Sequence, residues 1–241
     1  MVNSLDFDYM LQSMLRIVRY VPVTLRISII PTFLGIILGL IVALIRIYKI
    51  PILSPLSVMY VSFIRGTPLL VQLFLVYYGI PWLIQGAASG IGMTAGIIDV
   101  NKISPEYFVL FAFSINMGAY LSETMRSAIE SVDRGQFEAA HSIGLKPPQI
   151  MLEIILPQAA LTALPNLSNA LISMIKDSSL AFMVMVVDIM GAARIIGARS
   201  LRYLEIYIGV SIIYWIVCIV LEQVFNVVEK RLKIGKRGLI E

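Results

Sequence analysis

The chain has 241 residues, of which 59% are hydrophobic and 14% are charged, and its mean hydropathy is +0.87. These values lie far from those of a soluble globular domain and exclude an ordinary soluble enzyme or binding module. The formal net charge of +4 is not accompanied by a basic helix with base-stacking aromatic residues, which argues against nucleic-acid binding.

Several long windows contain no Asp, Glu, Lys or Arg, and most approach or exceed the roughly 17 to 25 residues that a membrane-spanning helix needs. They lack the polar and apolar alternation of barrel strands, and only helices or closed barrels satisfy the backbone in lipid. We therefore predict an all-α, polytopic membrane protein with about five transmembrane helices. The windows are 27–45, 66–98, 107–122, 154–175 and 206–221.

Residues 1–20 precede the first span and combine apolar side chains with Arg16 and Arg19. This mixture predicts a short amphipathic segment that lies in the membrane interface. The first residues carry Asp6 and Asp8 and lack the basic start of a secretory signal, so no removable signal peptide is expected.

The second span is interrupted by the polar group Arg65-Gly66-Thr67-Pro68. Proline lacks a backbone N–H and disfavours helix at the preceding residue, so backbone groups are left without helical partners at membrane depth. Such breaks are tolerated where the backbone lines a cavity or is buried by protein. We therefore expect a site at this break, with Gln72 on the same span.

The third span carries Asn116, Tyr120 and Glu123, whose spacings of four and three residues place them on one helix face. A carboxylate inside a membrane is costly unless it is paired or hydrated, so Glu123 should face the bundle interior. Two roles stay open for Glu123: contact with a ligand or its path, or a structural ion pair with Arg126 or Arg65.

The sequence EAAHSIGLKPPQIMLEIILP, which begins at Glu138, connects the third and fourth spans. Residues 136–143 favour a helix, and Gly144 is the residue type that most readily ends one in a left-handed turn. Pro147 should stop that helix, and Pro157 should interrupt the next one. We predict a short exposed helix within a stiff elbow at the membrane surface; the alternative is an ordinary connector.

The fourth span, 160–187, contains Lys176, Asp177 and Ser178. Lys176 and Asp177 are adjacent and therefore about 100° apart around a helix, so each needs a separate partner. They either mark a break between two half-helices or contribute charge to a polar path. The fifth span, 204–228, is predicted to be scaffold.

The C-terminal segment, 230–241, is basic. Because Lys and Arg concentrate on the cytoplasmic side of membrane proteins, we predict that the C-terminus and the Glu138 loop are cytoplasmic. An anchor to anionic lipids is the alternative role for this tail.

Metal, redox and enzyme chemistry are not expected. The single His141 has no companion at metal-ligand spacing, and the single Cys218 cannot form an internal disulfide. The sequence also offers no evident nucleophile and base set for a membrane-embedded enzyme.

Four motifs together resemble the permease subunits of bacterial polar-amino-acid ABC importers, particularly those associated with cystine. The motifs are RGTPLLVQLFLVYYG from Arg65, SINMGAYLSETMRSAI from Ser114, the loop from Glu138, and LISMIKDSSLAF from Leu171. The likeness extends from about residue 20 to residue 229.

The resemblance implies a type I ABC importer (MetI-like) permease fold over 21–229, with a cytoplasmic coupling loop at 134–157. It also implies a bacterial cytoplasmic membrane location and a set of partners. These partners are a dimer of cytosolic ABC ATPases, a second permease copy or a sister permease, an extracytoplasmic substrate-binding protein and an amino-acid substrate.

Two groups of functional residues follow from the same resemblance. The substrate path would use Arg65, Thr67, Gln72, Asn116, Tyr120 and Glu123. The helix that docks on the ATPase would use Glu138, Ala139, Ala140, Ser142, Gly144 and Leu145.

The chain has no GxxxxGK[ST] phosphate loop, so we predict no enzyme activity and no cofactor in this chain, with ATP and Mg²⁺ held by the partner ATPase. The rival interpretation is a secondary transporter driven by protons or sodium ions through Glu123 and Asp177. That class normally shows internal repeats, which we do not find here.

Overall fold

A computed structural model describes residues 5–90 and 102–237, with side chains at 5–86 and 102–231. Every regular element in these residues is helical, which confirms the all-α prediction. The helices are α1 (Phe7–Ile17), α2 (Val21–Ile47), α3 (Leu53–Gly66), α4 (Leu69–Gly90), α5 (Pro105–Glu130), α6 (Arg134–Ser142), α7 (Pro147–Ile150), α8 (Leu156–Asp177), α9 (Ile189–Ser200) and α10 (Tyr203–Arg237). Two 3₁₀ segments, Val18–Tyr20 and Ser178–Val184, and a π turn, Met151–Ile155, join neighbouring helices.

By length and composition, four helical stretches within the described residues can cross a membrane: Phe7–Ile47, Leu69–Gly86, Pro147–Val184 and Tyr203–Arg231. The 26-residue α5 is long enough as well, although Glu123 and Arg126 interrupt its apolar run. These helices agree with the prediction of a polytopic membrane protein.

The N-terminal segment packs onto the bundle. Ser13 and Ile17 of α1 are buried, and Ile17 packs with Ile206 of α10. Leu11 and Leu15, on the opposite side of α1, are exposed. The segment is therefore amphipathic, as expected, but its buried face is covered by protein, and its position in the membrane interface stays a prediction.

The central core lies where α2, α4, α5 and α8 meet. Each helix contributes fully buried apolar side chains to it, among them Ile27, Leu73, Phe113 and Met174. This core holds together the helices that carry the polar residues predicted for the substrate path.

Helices α2 and α5 approach each other closely because two glycines face the neighbouring backbone. A Cβ at Gly35 would lie 2.5 Å from Met117 Cβ, and a Cβ at Gly39 would lie 2.9 Å from the backbone N of Ser122. Two small residues four positions apart let the helix backbones approach closely. In a membrane the hydrophobic effect does not drive helices together, so van der Waals packing at such close contacts stabilises their association.

We expect Gly39→Leu to destabilise the bundle by about 1 to 3 kcal/mol, because the added side chain must push α5 away. Gly79→Leu in α4 is the matched control, since no described atom outside the adjoining turns of α4 lies within 4 Å of a Cβ at Gly79. Thermal unfolding in detergent measures both. A Gly39→Leu melting temperature equal to that of the Gly79→Leu variant would contradict the close packing.

The regular α geometry is interrupted next to Pro157, as predicted, but the helical path does not end there. Because Pro157 has no N–H to donate, the preceding backbone adjusts into the π turn, in which the N–H of Leu156 bonds to the carbonyl of Met151. The helical path from Pro147 then continues into α8. The chain is therefore helical on both sides of this turn, in α7 and in α8.

Candidate functional site

The break between α3 and α4 is stabilised by the side chain of Gln72. This buried amide donates from Nε2 to the carbonyl of Ile64 at 2.7 Å and to the carbonyl and hydroxyl oxygens of Thr67, both at 2.9 Å. The carbonyl groups at the end of α3 lack helical donors because Pro68 has no N–H. Gln72 therefore replaces the backbone donors that the break removes.

Asn116 of α5 extends this network to a third helix. Its Nδ2 donates to Gln72 Oε1 at 2.9 Å, and Asn116 is buried. The two amides fix each other's orientation, since each group can satisfy the other only in one flip state. Thr67, Gln72 and Asn116 thus form one polar unit at the junction of α3, α4 and α5.

Glu123 is the centre of a charge cluster. Its Oε1 lies 2.5 Å from Arg46 Nη1 and 4.0 Å from Arg65 Nη1, and its Oε2 lies 2.9 Å from Arg126 Nη2. Arg126 also pairs with Glu130 at 2.6 Å. Both carboxylate oxygens of Glu123 therefore have cationic partners. Of the two roles left open for Glu123, the structural ion pair with Arg126 is present.

Of the three arginines around Glu123, Arg65 lies farthest from its carboxylate. Its side chain is 47% exposed, and its guanidinium carbon lies 5.6 Å from the ring centroid of Tyr120. A cation over an aromatic face is attracted by the ring but keeps its hydrogen-bond donors available. The six residues predicted for the path therefore converge, and Arg65 and Tyr120 form their exposed part.

The predicted elbow is present as α6 and the turn after it. Asp133 caps α6, because its Oδ1 accepts from the backbone N of Gly135 at 2.8 Å. At the other end Leu145 N donates to the carbonyl of Ala140 at 3.2 Å, and Gly144 has a φ of +88°, a conformation that glycine adopts without strain. Both ends of α6 are thus fixed locally.

The predicted coupling residues divide into an anchoring set and an exposed set. Ala140 is buried against Ile129 and Ile150, and Leu145 packs at the edge of the same cluster. The exposed members are Glu138, Ala139, Ser142 and Gly144. One face of α6 is therefore attached to α5 and α7, and the other face is open.

A groove of about 630 Å³ lies beside α6. Its lining includes Tyr48, Glu130, Phe137, Glu138 and Met151, which belong to four different elements of this end of the bundle. Ile143, which follows α6 in the chain, is 79% exposed. Exposed apolar residues next to such a groove are typical of a protein interaction surface.

Lys176, Asp177 and Ser178 lie at the end of α8, where the helix changes to a 3₁₀ segment. Ser178 is buried, and its hydroxyl donates to the carbonyl of Ile175 at 2.7 Å, whereas Lys176 and Asp177 are exposed. Within the described residues, no hydrogen bond or ion pair joins these three residues to the six of the first group.

Two side chains with polar contacts in the interior were not predicted from the sequence: Arg46, described above, and Asp188. Asp188 is fully buried, caps α9 through the backbone N of Gly191 at 2.9 Å, and accepts from the Tyr214 hydroxyl at 3.1 Å. Burial raises the pKa of Asp188, and the hydrogen bond from Gly191 opposes the rise. A helix N-cap pattern at Asp188 was the available signal.

The chain matches a family model described as the binding-protein-dependent transport system inner membrane component over residues 35–234. It is 42% identical over 221 residues to the L-cystine transport system permease protein TcyL of Bacillus subtilis (strain 168), with 92% of this chain and 89% of the relative covered.

Two solved structures are similar to the whole chain. A crystal structure of an amino acid ABC transporter with histidines matches with a TM-score of 0.78 and 31% identity, covering 95% of this chain and 99% of that chain. An inward-facing MetNI methionine ABC transporter matches with a TM-score of 0.67 and 18% identity, covering 90% and 95%, which supports the fold alone.

Proposed function

Because the chain belongs to the family of binding-protein-dependent transport system inner membrane components, we propose that it is the permease subunit of an ABC importer for a polar amino acid. The open elbow α6, fixed at both ends and attached to the membrane helices, carries this proposal. An amino acid is supported by the relatives' printed names, and L-cystine is the first candidate because the similar TcyL protein is named for it.

Coupling to ATP hydrolysis would pass through α6. Its exposed residues Glu138, Ala139 and Ser142 would dock in a groove of a cytosolic ATPase, and its buried Ala140 packs on Ile129 of α5. Because both ends of α6 are fixed by local hydrogen bonds, a displacement of α6 would be transmitted to α5 and α7 and would not be lost in a flexible loop. The ATPase dimer would thereby rock the bundle between inward-facing and outward-facing states.

The polar unit Thr67, Gln72 and Asn116, with Arg65 and Tyr120 at its exposed edge, supports a path for a polar solute. Arg65 provides donors for a carboxylate, and the amides provide both donors and acceptors. Glu123, in contrast, already binds guanidinium groups through both oxygens. We therefore propose that it holds the helices beside the path in place and does not bind the solute.

The engagement of Glu123 also weakens the ion-coupled alternative. A proton or sodium site needs a carboxylate that exchanges partners during transport, and Arg46 and Arg126 compete for Glu123 at 2.5 and 2.9 Å. We propose three remaining partners on the basis of family membership: a second or sister permease, an extracytoplasmic binding protein, and a lipid bilayer in which the C-terminus lies on the cytoplasmic side.

The test is to purify the chain with its associated subunits and measure ATP hydrolysis. We expect copurification of an ABC ATPase whose hydrolysis rate rises when a binding protein loaded with one amino acid is added. A purified chain without an ATPase, or hydrolysis that no amino acid changes, would contradict the proposal.

Asn116→Ala should lower amino-acid uptake at least tenfold at normal protein levels. The substitution removes the donor to Gln72 and leaves a buried carbonyl oxygen unpaired, which costs about 1 to 3 kcal/mol in the path's geometry. Ser114→Ala is the matched control, because Ser114 Oγ bonds only within α5, to the carbonyl of Leu110. Unchanged uptake by the Asn116→Ala variant would show that the pair of Asn116 and Gln72 is not part of the substrate path.

A further inference from the structure

A second pocket, largely apolar with a few polar groups, lies between the end of α8, α9 and α10, apart from the Gln72 and Asn116 unit. Its volume is about 460 Å³, within the range of small-molecule sites. Its lining includes Lys176, Ser179, Met190, Tyr207, Ser211 and Tyr214.

Lys176 is the first reason to assign a ligand to this pocket. No described residue forms a hydrogen bond or ion pair with its ammonium, although Arg26, Arg46, Arg126 and Arg202 all have carboxylate partners. Asp177, adjacent in the chain, interacts with Lys176 only through its charge, since among the described residues no hydrogen bond or ion pair joins the two side chains. Ionisable residues within membrane helices are costly and generally pair, so this ammonium calls for an anionic partner.

The hydroxyl groups of α10 are the second reason. Ser211 Oγ donates to the carbonyl of Tyr207 at 2.9 Å, and Tyr214 Oη donates to Asp188 Oδ2 at 3.1 Å. Each hydroxyl has thus used its single hydrogen within the protein and offers only lone pairs to the pocket. Ser211 and Tyr214 are three residues apart on α10 and share a face.

The pocket therefore combines one free cationic donor with two acceptor-only hydroxyl groups. We infer that it binds an α-amino acid as a zwitterion, with the carboxylate on Lys176 and the ammonium on Ser211 and Tyr214. This inference rests on the proposed function and deepens it, because it adds a second amino-acid site on the α8 and α10 side of the bundle.

The test compares amino acids with their decarboxylated amines. Radiolabelled L-cystine and L-histidine, and cystamine and histamine, are equilibrated with the full chain in nanodiscs. We expect wild-type protein to prefer at least one amino acid over its amine. Lys176→Met should weaken amino-acid binding about tenfold, the loss of one charge-assisted bond, and leave amine binding unchanged.

Ser211→Ala tests the other end of the ligand. Because Ser211 is exposed, its loss should not disturb the fold, and binding of amino acid and amine should weaken together. Arg199→Met, an exposed α9 change outside the pocket, is the control and should alter neither.

Equal binding of amino acids by wild type and Lys176→Met, or no binding by wild type, would overturn the inference. If ATP-driven uptake by the assembled complex persists in that case, the proposed function survives and only the second site is lost. If uptake of every amino acid also fails, the proposed function fails with it.

Discussion

Gly144→Asp should release the ATPase from the permease while the permease stays folded. Apart from the two neighbours of Gly144 in the chain, no atom of the described residues lies within 4 Å of a Cβ at this position, so the new side chain has open space. The φ of +88° adds a backbone cost of about 1 kcal/mol, since aspartate is one of the few other residues that visits this region. The large effect is therefore expected at the contact with the partner.

Copurification of the ATPase measures this effect, together with thermal unfolding of the permease. We expect ATPase recovery to fall at least tenfold and uptake to be lost, with a melting temperature within a few degrees of wild type. Gly86→Asp is the matched control, because Gly86 also has open space around it but lies in α4, far along the chain from the elbow. Normal ATPase recovery with Gly144→Asp would contradict the coupling role of α6.

Glu123→Gln should be the most disruptive single change in the polar interior. It leaves Arg46, Arg65 and Arg126 facing one another without the carboxylate that joins them. Removing one partner of a buried ion pair costs about 3 to 5 kcal/mol, and the partial exposure of this cluster reduces the expected loss to about 2 kcal/mol. Uptake should fall with stability, because α2, α3 and α5 are no longer held together.

Glu130→Gln provides the matched control, since Arg126 is the one ion-pair partner of Glu130 in the described part of the chain, and the Glu130 side chain is 53% exposed. An exposed pair contributes about 1 kcal/mol or less. The double variant Arg46→Met, Glu123→Gln should regain part of the stability, because it removes one of the unpaired charges. Equal melting temperatures for Glu123→Gln and Glu130→Gln would show that the cluster is not structural.

Helix periodicity and one proline carry the local information from which the sequence predicted the shared helix face and the break, whereas the path itself is what the family resemblance implies. Asn116, Tyr120 and Glu123 share a face on any α-helix, and Pro68 breaks a helix in any context. The contact between Gln72 and Asn116 was not predicted, because the burial that makes each amide need a partner is a property of the packed helices.

The partner of Glu123 could not be predicted in the same way. Arg46 lies 77 residues away in the chain and reaches Glu123 only because Gly35 and Gly39 set the register of α2 on α5. A tertiary contact, and not local propensity, decides this pairing.

The central claim is that this chain moves solute only when an ATPase drives its elbow. Proteoliposomes that contain the purified chain, the copurified ATPase and an amino-acid-loaded binding protein test it most directly, with ATP enclosed or omitted. We predict accumulation of the amino acid with ATP and none when the chain is reconstituted alone under a proton or sodium gradient. Accumulation by the chain alone, driven by an ion gradient, would contradict the account.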